Sequence, residues 1–328
     1  MTRYFLGIDI GNSKSHALIA NEDGQALGFG RGGPGNWESV GWDGTRAVLD
    51  DIISQAITQA RIERGDLAAA GFGLAGYDWP EDRQRHEEII RDLLRPDLPC
   101  ELMNDAFIGL LAGTDSGWGV VVAAGTSCNC YGRNAQSEIG RVTGSSHFGE
   151  YAGAGELVWW AVQAVAHAWS QRGPATRLSD ALVAATGATD VTDLLAGLMR
   201  ERYFLWADSA PIVFAVASEG DQVALELVRR AGRELGKLAI GVCRQTGITD
   251  MPFDIVLSGS FYNGSPLIQS SMAETIHAVA RQAKLVRLEA PPVVGAVLLG
   301  MEQVGMQPAA LRKTLLESTN DLLKTSDI

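Results

Sequence analysis

The chain has little of what a nucleic-acid or membrane protein needs. Its 27 basic residues are outnumbered by 39 acidic ones, for a formal net charge of −12. The basic residues stand singly or in pairs, as at Arg229 and Arg230, so no concentrated patch offsets the repulsion a polyphosphate backbone would meet. Long apolar runs are missing as well. The stretches at 120–125 and 293–299 fall far short of the roughly 20 residues a spanning helix requires, and the N-terminus reaches a charge too early for a signal-peptide core. Cysteine is scarce: Cys100, Cys128, Cys130 and Cys243 form no disulfide framework. Cys128 and Cys130 have no second Cys or His pair at zinc spacing. The expectation is a cytoplasmic protein with reduced thiols, bound to neither nucleic acid nor membrane.

Glycine is what the chain has in excess, 38 in 328 residues, about 12% against an average near 7%. The glycines cluster at the ends of apolar segments, and those segments repeat. The first pass runs Tyr4–Ile10, 14–20 and 25–30, three short strands joined by Gly11-Asn12-Ser13 and Asn21-Glu22-Asp23-Gly24, a β-meander. A helix to about residue 64, a buried strand at 68–74, a helix at 81–94, a short strand at 101–103 and a helix opening at Asn104-Asp105 follow. The second pass starts at Trp118, with a strand at 120–124, the turn Gly125-Thr126-Ser127, and strands at 128–132 and 138–142. Helices then fill about 156–250 before a strand at 253–257, a helix, a strand at 285–288 and a helix after Pro291-Pro292. The order βββαβαβα occurs twice. This predicts an α/β protein of two lobes, residues 1–115 and 116–328, with a helical insertion at about 156–250 and a cleft between the lobes. A helix in the tail after Met301 is expected to pack on either lobe or on a second subunit.

Three turns of small residues end apolar strands. In Gly7-Ile8-Asp9-Ile10-Gly11-Asn12-Ser13-Lys14-Ser15 a carboxylate closes the strand and a tight turn follows. Backbone N–H groups there can hold phosphate oxygens, with Ser13 and Ser15 as further donors, and Asp9 can hold Mg²⁺ through water. It is not a Walker A loop, since a strand follows and the spacing is wrong. An ordinary hairpin with a solvated Asp explains the same letters. Gly125-Thr126-Ser127 and Leu257-Ser258-Gly259-Ser260 are weak alone, but the first two turns occupy equivalent places in the two copies. Asn104-Asp105-Ala106 reads as an Asp helix cap or as a general base. Trp159, Trp160 and Trp169 read as packing of the insertion rather than as a sugar platform.

In order and spacing these motifs resemble the sugar kinase, actin and heat-shock ATPase superfamily. Within it, the chain is most similar to the N-acetylglucosamine kinases of the BadF/BadG/BcrA/BcrD ATPase family. The resemblance covers about residues 4–303, and Pro291-Pro292 with Gly295-Ala296 matches the family's terminal helix, which implies that this helix packs back toward the first lobe. Residues 7–15 resemble its phosphate-1 motif, 125–132 its phosphate-2 motif and 256–264 its adenosine motif. It implies two ribonuclease-H-like lobes, each a mixed five-stranded sheet with flanking helices. It also implies an ATP-dependent kinase acting on a hydroxyl of an amino sugar, with ATP and Mg²⁺ as cofactors. Carried over by position, Asp105 is the catalytic base and Asp9 the metal carboxylate. Gly11, Asn12, Ser13, Lys14, Gly125, Thr126, Ser127, Gly259 and Ser260 contact the nucleotide. Asn36, Gly76, Asp78, Asn104, Asp105, Thr126 and Glu150 contact the sugar, and a homodimer is expected by analogy.

The chain departs from the family pattern in two places. The segment Gly144-Ser145-Ser146-His147-Phe148-Gly149-Glu150 lacks the family's Gly-Trp-Gly, and Glu150 stands where an aspartate binds sugar. Asn12 replaces a glycine of the commonest phosphate-1 form. The alternative is an ATPase that activates a partner enzyme, as the family's 2-hydroxyacyl-CoA dehydratase activators do with an iron–sulfur cluster between subunits.

Overall fold

The apolar strands expected from the sequence assemble into two five-stranded sheets in a computed structural model that describes residues 2–326. The first contains β1 (Tyr4–Ile10), β2 (Ser15–Asn21), β3 (Ala26–Gly32), β4 (Leu67–Leu74) and β5 (Cys100–Asn104), in the order β3-β2-β1-β4-β5. β1, β2 and β3 are antiparallel neighbours, while β4 and β5 run parallel to β1. Helix α1 (Trp37–Ala60) connects β3 to β4 and α2 (Asp82–Leu93) connects β4 to β5, while α3 (Asp105–Gly113) follows β5. Helix α1 has a non-helical residue at Gly41 and stops at a left-handed Arg61, a few residues before the expected end. Leu49, Ile52, Ile53 and Ala56 of α1 bury against Ile8, Ile10 and Ile19 of the sheet. The outer edge of β3 is closed by side chains: Gln59 accepts from the Phe29 N–H, Gln55 from Arg31 and Ser318 from Ala26. Such capping removes the unpaired edge on which a further strand would add.

The second sheet has the order β10-β9-β6-β7-β8, from β6 (Gly119–Ala124), β7 (Cys128–Arg133), β8 (Ile139–Arg141), β9 (Phe253–Ser258) and β10 (Ala283–Arg287). The helical insertion comprises α4 (Ala154–Trp169), α5 (Leu178–Thr186), α6 (Val191–Met199), α7 (Ala210–Ser218) and α8 (Gln222–Thr246), and α9 (Pro266–His277) follows β9. Of the tryptophans expected to pack the insertion, Trp160 is buried, beneath the Arg230 guanidinium at 4.1 Å, and Trp169 donates its indole N–H to Thr192 of α6 at 3.2 Å. Trp159 and Trp169 are 60% and 56% exposed, because α4 turns only one face to its neighbours and residue 159 falls on the other.

Helices α10 (Val293–Glu302) and α11 (Arg312–Ser326) close the chain. Helix α10 is buried along almost its whole length, and it lies on β1, β4 and α3. A Cβ at Gly7 would overlap Val297, one at Gly71 the Ala296 carbonyl, and one at Gly295 the Ile108 carbonyl. Helix α11 adds Leu315 to the same apolar cluster. The chain forms two compact units. One holds the described residues up to Val121, Tyr131–Ile139 and those from Val286 onward; the other holds Val122–Cys130 and Gly140–Leu285. This partition is by compactness, whereas the expected 115/116 boundary follows the repeat. Among the described residues no single helix is long and apolar enough to cross a membrane.

Candidate functional site

In the first unit the C-terminal ends of three parallel strands stand level, with Ile10 beside Leu74 and Leu74 beside Asn104. Ligands of such sheets bind beyond those ends, and the residues of this unit singled out in the sequence lie on or near them. Asp9 is the penultimate residue of β1. Its carboxylate is mostly buried, and His16 Nδ1 lies 3.6 Å away. The turn that follows is closed by the Gly11 N–H donating to the Lys14 carbonyl at 3.1 Å, and exposes Asn12, Ser13 and Lys14. Ser15 behaves differently from the expectation. It is wholly buried, pressed near Gly35, and its hydroxyl has no partner, so it is not a phosphate donor.

Asn36 caps α1, its Oδ1 accepting from the Glu38 N–H at 3.0 Å. Next to it, Trp37 Nε1 donates to the Gly76 carbonyl at 2.6 Å. Trp37 stacks on Trp42, and His86 meets Trp42 and Tyr77 edge-on, which braces the 76–78 loop from beneath. Burial pushes the His86 imidazole below its ordinary range. Gly76 has φ +79°, and any Cβ there would strike Asn36 Oδ1, so only glycine serves. Asp78 Oδ1 accepts from Asn104 Nδ2 at 2.9 Å.

The cap at the start of α3 is Asn104, whose Oδ1 accepts from the Ala106 N–H at 3.0 Å. The sequence had suggested Asp105 for that task. With the cap carried by its neighbour, Asp105 becomes the first helical residue. Burial first, then the carboxylates of Asp9 and Asp78, push the Asp105 carboxyl up to about 7. A desolvated acid among other acids holds its proton more tightly than a solvated one.

In the second unit the Gly125 N–H donates to the Ser127 carbonyl at 2.9 Å, closing a tight turn one residue shorter than that of the first. The carbonyls of Gly125 and Thr126 accept from Ala154 and Gly155, the first N–H groups of α4. Gly259, at φ +99°, abuts the Ala124 carbonyl so closely that a Cβ would overlap it. Between these turns lies a cavity of about 630 Å³ lined by Gly125, Thr126, Ser260, Phe261, Phe214 and Asp208, among others. Its two phenyl rings are 5.5 Å apart between centroids. An apolar pocket bounded by two small-residue turns has the makings of a nucleoside site. Phe214, Pro211 and Asp208 carry no motif in the sequence, because they come from the insertion. His16 was missed, though hairpin register alone sets it opposite Asp9.

Glu150 is held by its own loop: Oε1 accepts from the Thr143 N–H at 2.8 Å and Oε2 from Ser145 at 2.9 Å. The Cys128 thiol donates to the Glu150 carbonyl at 3.5 Å. Cys128 and Cys130 are buried, and burial pushes the Cys128 thiol up to about 12. No cluster of three or more metal-ligating side chains occurs among the described residues.

Paired sheets with matching turns after their first strands define the class of the sugar kinase, actin and heat-shock ATPases. More narrowly, the chain belongs to the BadF/BadG/BcrA/BcrD ATPase family, whose model matches residues 6–300. It is similar to the N-acetyl-D-glucosamine kinase of Dictyostelium discoideum, 24% identical over 90% of this chain and 97% of that one. It is equally similar to the N-acetylmuramic acid/N-acetylglucosamine kinase of Clostridium acetobutylicum, 24% identical over 92% and 99% of the two chains. Among solved structures, a ROK family glucokinase from Streptomyces griseus shares the fold. Its TM-score is 0.58 at 17% identity, covering 92% of this chain and 100% of that one.

Proposed function

We propose that this protein is an ATP-dependent kinase that transfers the γ-phosphoryl group to a hydroxyl of an amino sugar of the N-acetylglucosamine or glucosamine type. The observation that carries the reading is Asp105. It is a carboxylate freed from capping duty, placed where three parallel strands end, with a proton affinity matched to neutral pH. A base accepting a hydroxyl proton works best when its pKa lies near the working pH. The two curated relatives, both named as amino-sugar kinases, support the same acceptor class.

The parts divide by chemistry. Asp105 takes the proton of the attacking hydroxyl and orients it. The turns at Gly11–Lys14 and Gly125–Ser127 hold phosphates, with Thr126 bordering phosphate and sugar, and Gly259 and Ser260 border the nucleoside in the Phe214–Phe261 pocket. Asn36, Gly76, Asp78, Asn104 and Glu150 receive the sugar; Glu150, locked by two backbone N–H groups, keeps free lone pairs for sugar hydroxyls. Asp9 fits Mg²⁺, which favours one or two carboxylates with phosphates and water completing its shell. Bound there, the ion would neutralise charge developing on the transferring phosphoryl group. A cytoplasmic location and a homodimer belong to the same reading.

The partner-activating alternative needs cysteines able to bridge subunits through a cluster. Cys128 and Cys130 are enclosed within the second unit, which counts against it. The test is ADP release from Mg·ATP with glucosamine, N-acetylglucosamine, N-acetylmuramic acid, glucose or no sugar. Stimulation by an amino sugar is expected, and Asp105→Asn should lower kcat by on the order of 10²–10⁴ while ATP still binds. Hydrolysis indifferent to every sugar would refute the kinase reading.

A further inference from the structure

The Asn12 side chain lies on an exposed turn, yet it is engaged: its Oδ1 accepts from Asn36 Nδ2 at 2.8 Å. Asn36 is only 5% exposed. Its Oδ1 is fixed as the oxygen end of the amide, because it accepts from the Glu38 N–H. The Nδ2 group also donates to Glu38 Oε2 at 3.3 Å. The backbones of the two segments are tied as well, by the Gly35 N–H donating to the Gly11 carbonyl at 3.1 Å. On its other side the Asn36 oxygen faces Gly76, whose loop leads through Asp78 and Asn104 to Asp105. A continuous path of contacts in the first unit therefore joins the turn at 11–14 to the 76–78 loop and the start of α3. The backbone tie sets where the segments meet. The Asn12 carboxamide, together with the Glu38 N–H and carboxylate, holds the Asn36 amide in one orientation, a torsion that is broad without such partners.

We propose that Asn12 is a positioning residue for the acceptor sugar, acting through Asn36: by taking one Nδ2 hydrogen it presents Asn36 Oδ1 toward the Gly76–Asp78 loop in a single orientation. The assignment rests on the kinase reading above. With its Nδ2 group committed to Asn12 and Glu38 and its Oδ1 set between the Glu38 N–H and Gly76, Asn36 acts on the sugar by holding the Gly76–Asp78 loop in place.

The experiment is steady-state kinetics with sugar and ATP varied separately, on the parent and on Asn12→Ala, Asn12→Asp, Asn36→Ala and the double alanine variant. Loss of one neutral hydrogen bond is worth about a fivefold rise in KM for the sugar in Asn12→Ala. Asn12→Asp keeps the acceptor oxygen and should restore the sugar KM, while its charge on the phosphate turn raises KM for ATP. The double variant should be no worse toward sugar than Asn36→Ala, since both act through one amide. If Asn12→Ala raises only the KM for ATP, or if the two alanine effects on the sugar simply add, the proposal is wrong while the kinase stands. If the parent phosphorylates no sugar at all, the kinase reading fails and this proposal falls with it.

Discussion

At the scale of single residues, the decisive fact is that Asn104, and not Asp105, caps α3. The difference of one position leaves the Asp105 carboxylate beside Asp9 and Asp78, where burial and repulsion raise it from 3.8 to about 7. The sign of the consequence follows directly. Between those two values the folded chain binds a proton that the unfolded chain has released, so the stability from this group is fully present below 3.8 and is lost as pH rises through about 7. Activity runs the other way, because a base must be ionised. We expect kcat/KM of the parent to rise with pH and level off above about 7. Asp105→Asn should abolish that limb and melt above the parent at about pH 8, where the parent carries a buried charge, an advantage that shrinks in acid. A flat kcat/KM profile for the parent across neutral pH would remove Asp105 from the role of base. The sequence offered Asn104-Asp105-Ala106 with both functions plausible; which residue caps depends on backbone angles that no pair of letters determines.

At the scale of elements, the strands and the tight turns were legible, because periodicity and glycine clustering are local signals. The strand Tyr4–Ile10 and the turns at Gly11, Gly125 and Gly259 fall where the sequence put them. Less legible was why so many glycines lie inside strands and helices. Gly7, Gly71 and Gly295 look like entropic liabilities in isolation, yet they let α10 press its backbone onto the first sheet and onto α3. The exposure of Trp159 and Trp169 was hidden for the same reason: which helix face finds a neighbour is a tertiary fact. Gly295→Ala tests the close approach, since its Cβ would overlap the Ile108 carbonyl. Overpacking of this kind costs about 1–3 kcal/mol, read as a lowered midpoint in urea. Gly33→Ala, where a Cβ meets open space, should be nearly neutral beside it.

At the scale of the whole molecule, the repeat in the sequence and the compact units of the fold are different partitions of one chain. The repeat ends its first copy near residue 115, but the first sheet has no complete core there. The Phe5, Leu18 and Ala69 side of that sheet is covered by Val293, Val294, Val297 and Leu298 of α10 and by Leu315 of α11, all more than 220 residues further along the chain. Arg133 and Glu302 add a paired contact at 2.9 Å between the strand β7 and α10 within the same unit. Local reading sees two copies of one motif. That the first copy borrows its lid from the end of the chain was implied only by the resemblance of Pro291-Pro292 and Gly295-Ala296 to the family's terminal helix, because by pattern alone the residues of α10 look like any apolar helix. The consequence is testable by expressing residues 1–115 alone. That fragment leaves an apolar sheet face in water, a loss that one helix of mostly buried residues had offset. It should therefore bind a hydrophobic dye and unfold without a cooperative transition, whereas the full chain unfolds cooperatively. A fragment that melts sharply and leaves the dye dark would show that the first copy folds by itself, and that α10 is added to a finished core rather than completing it.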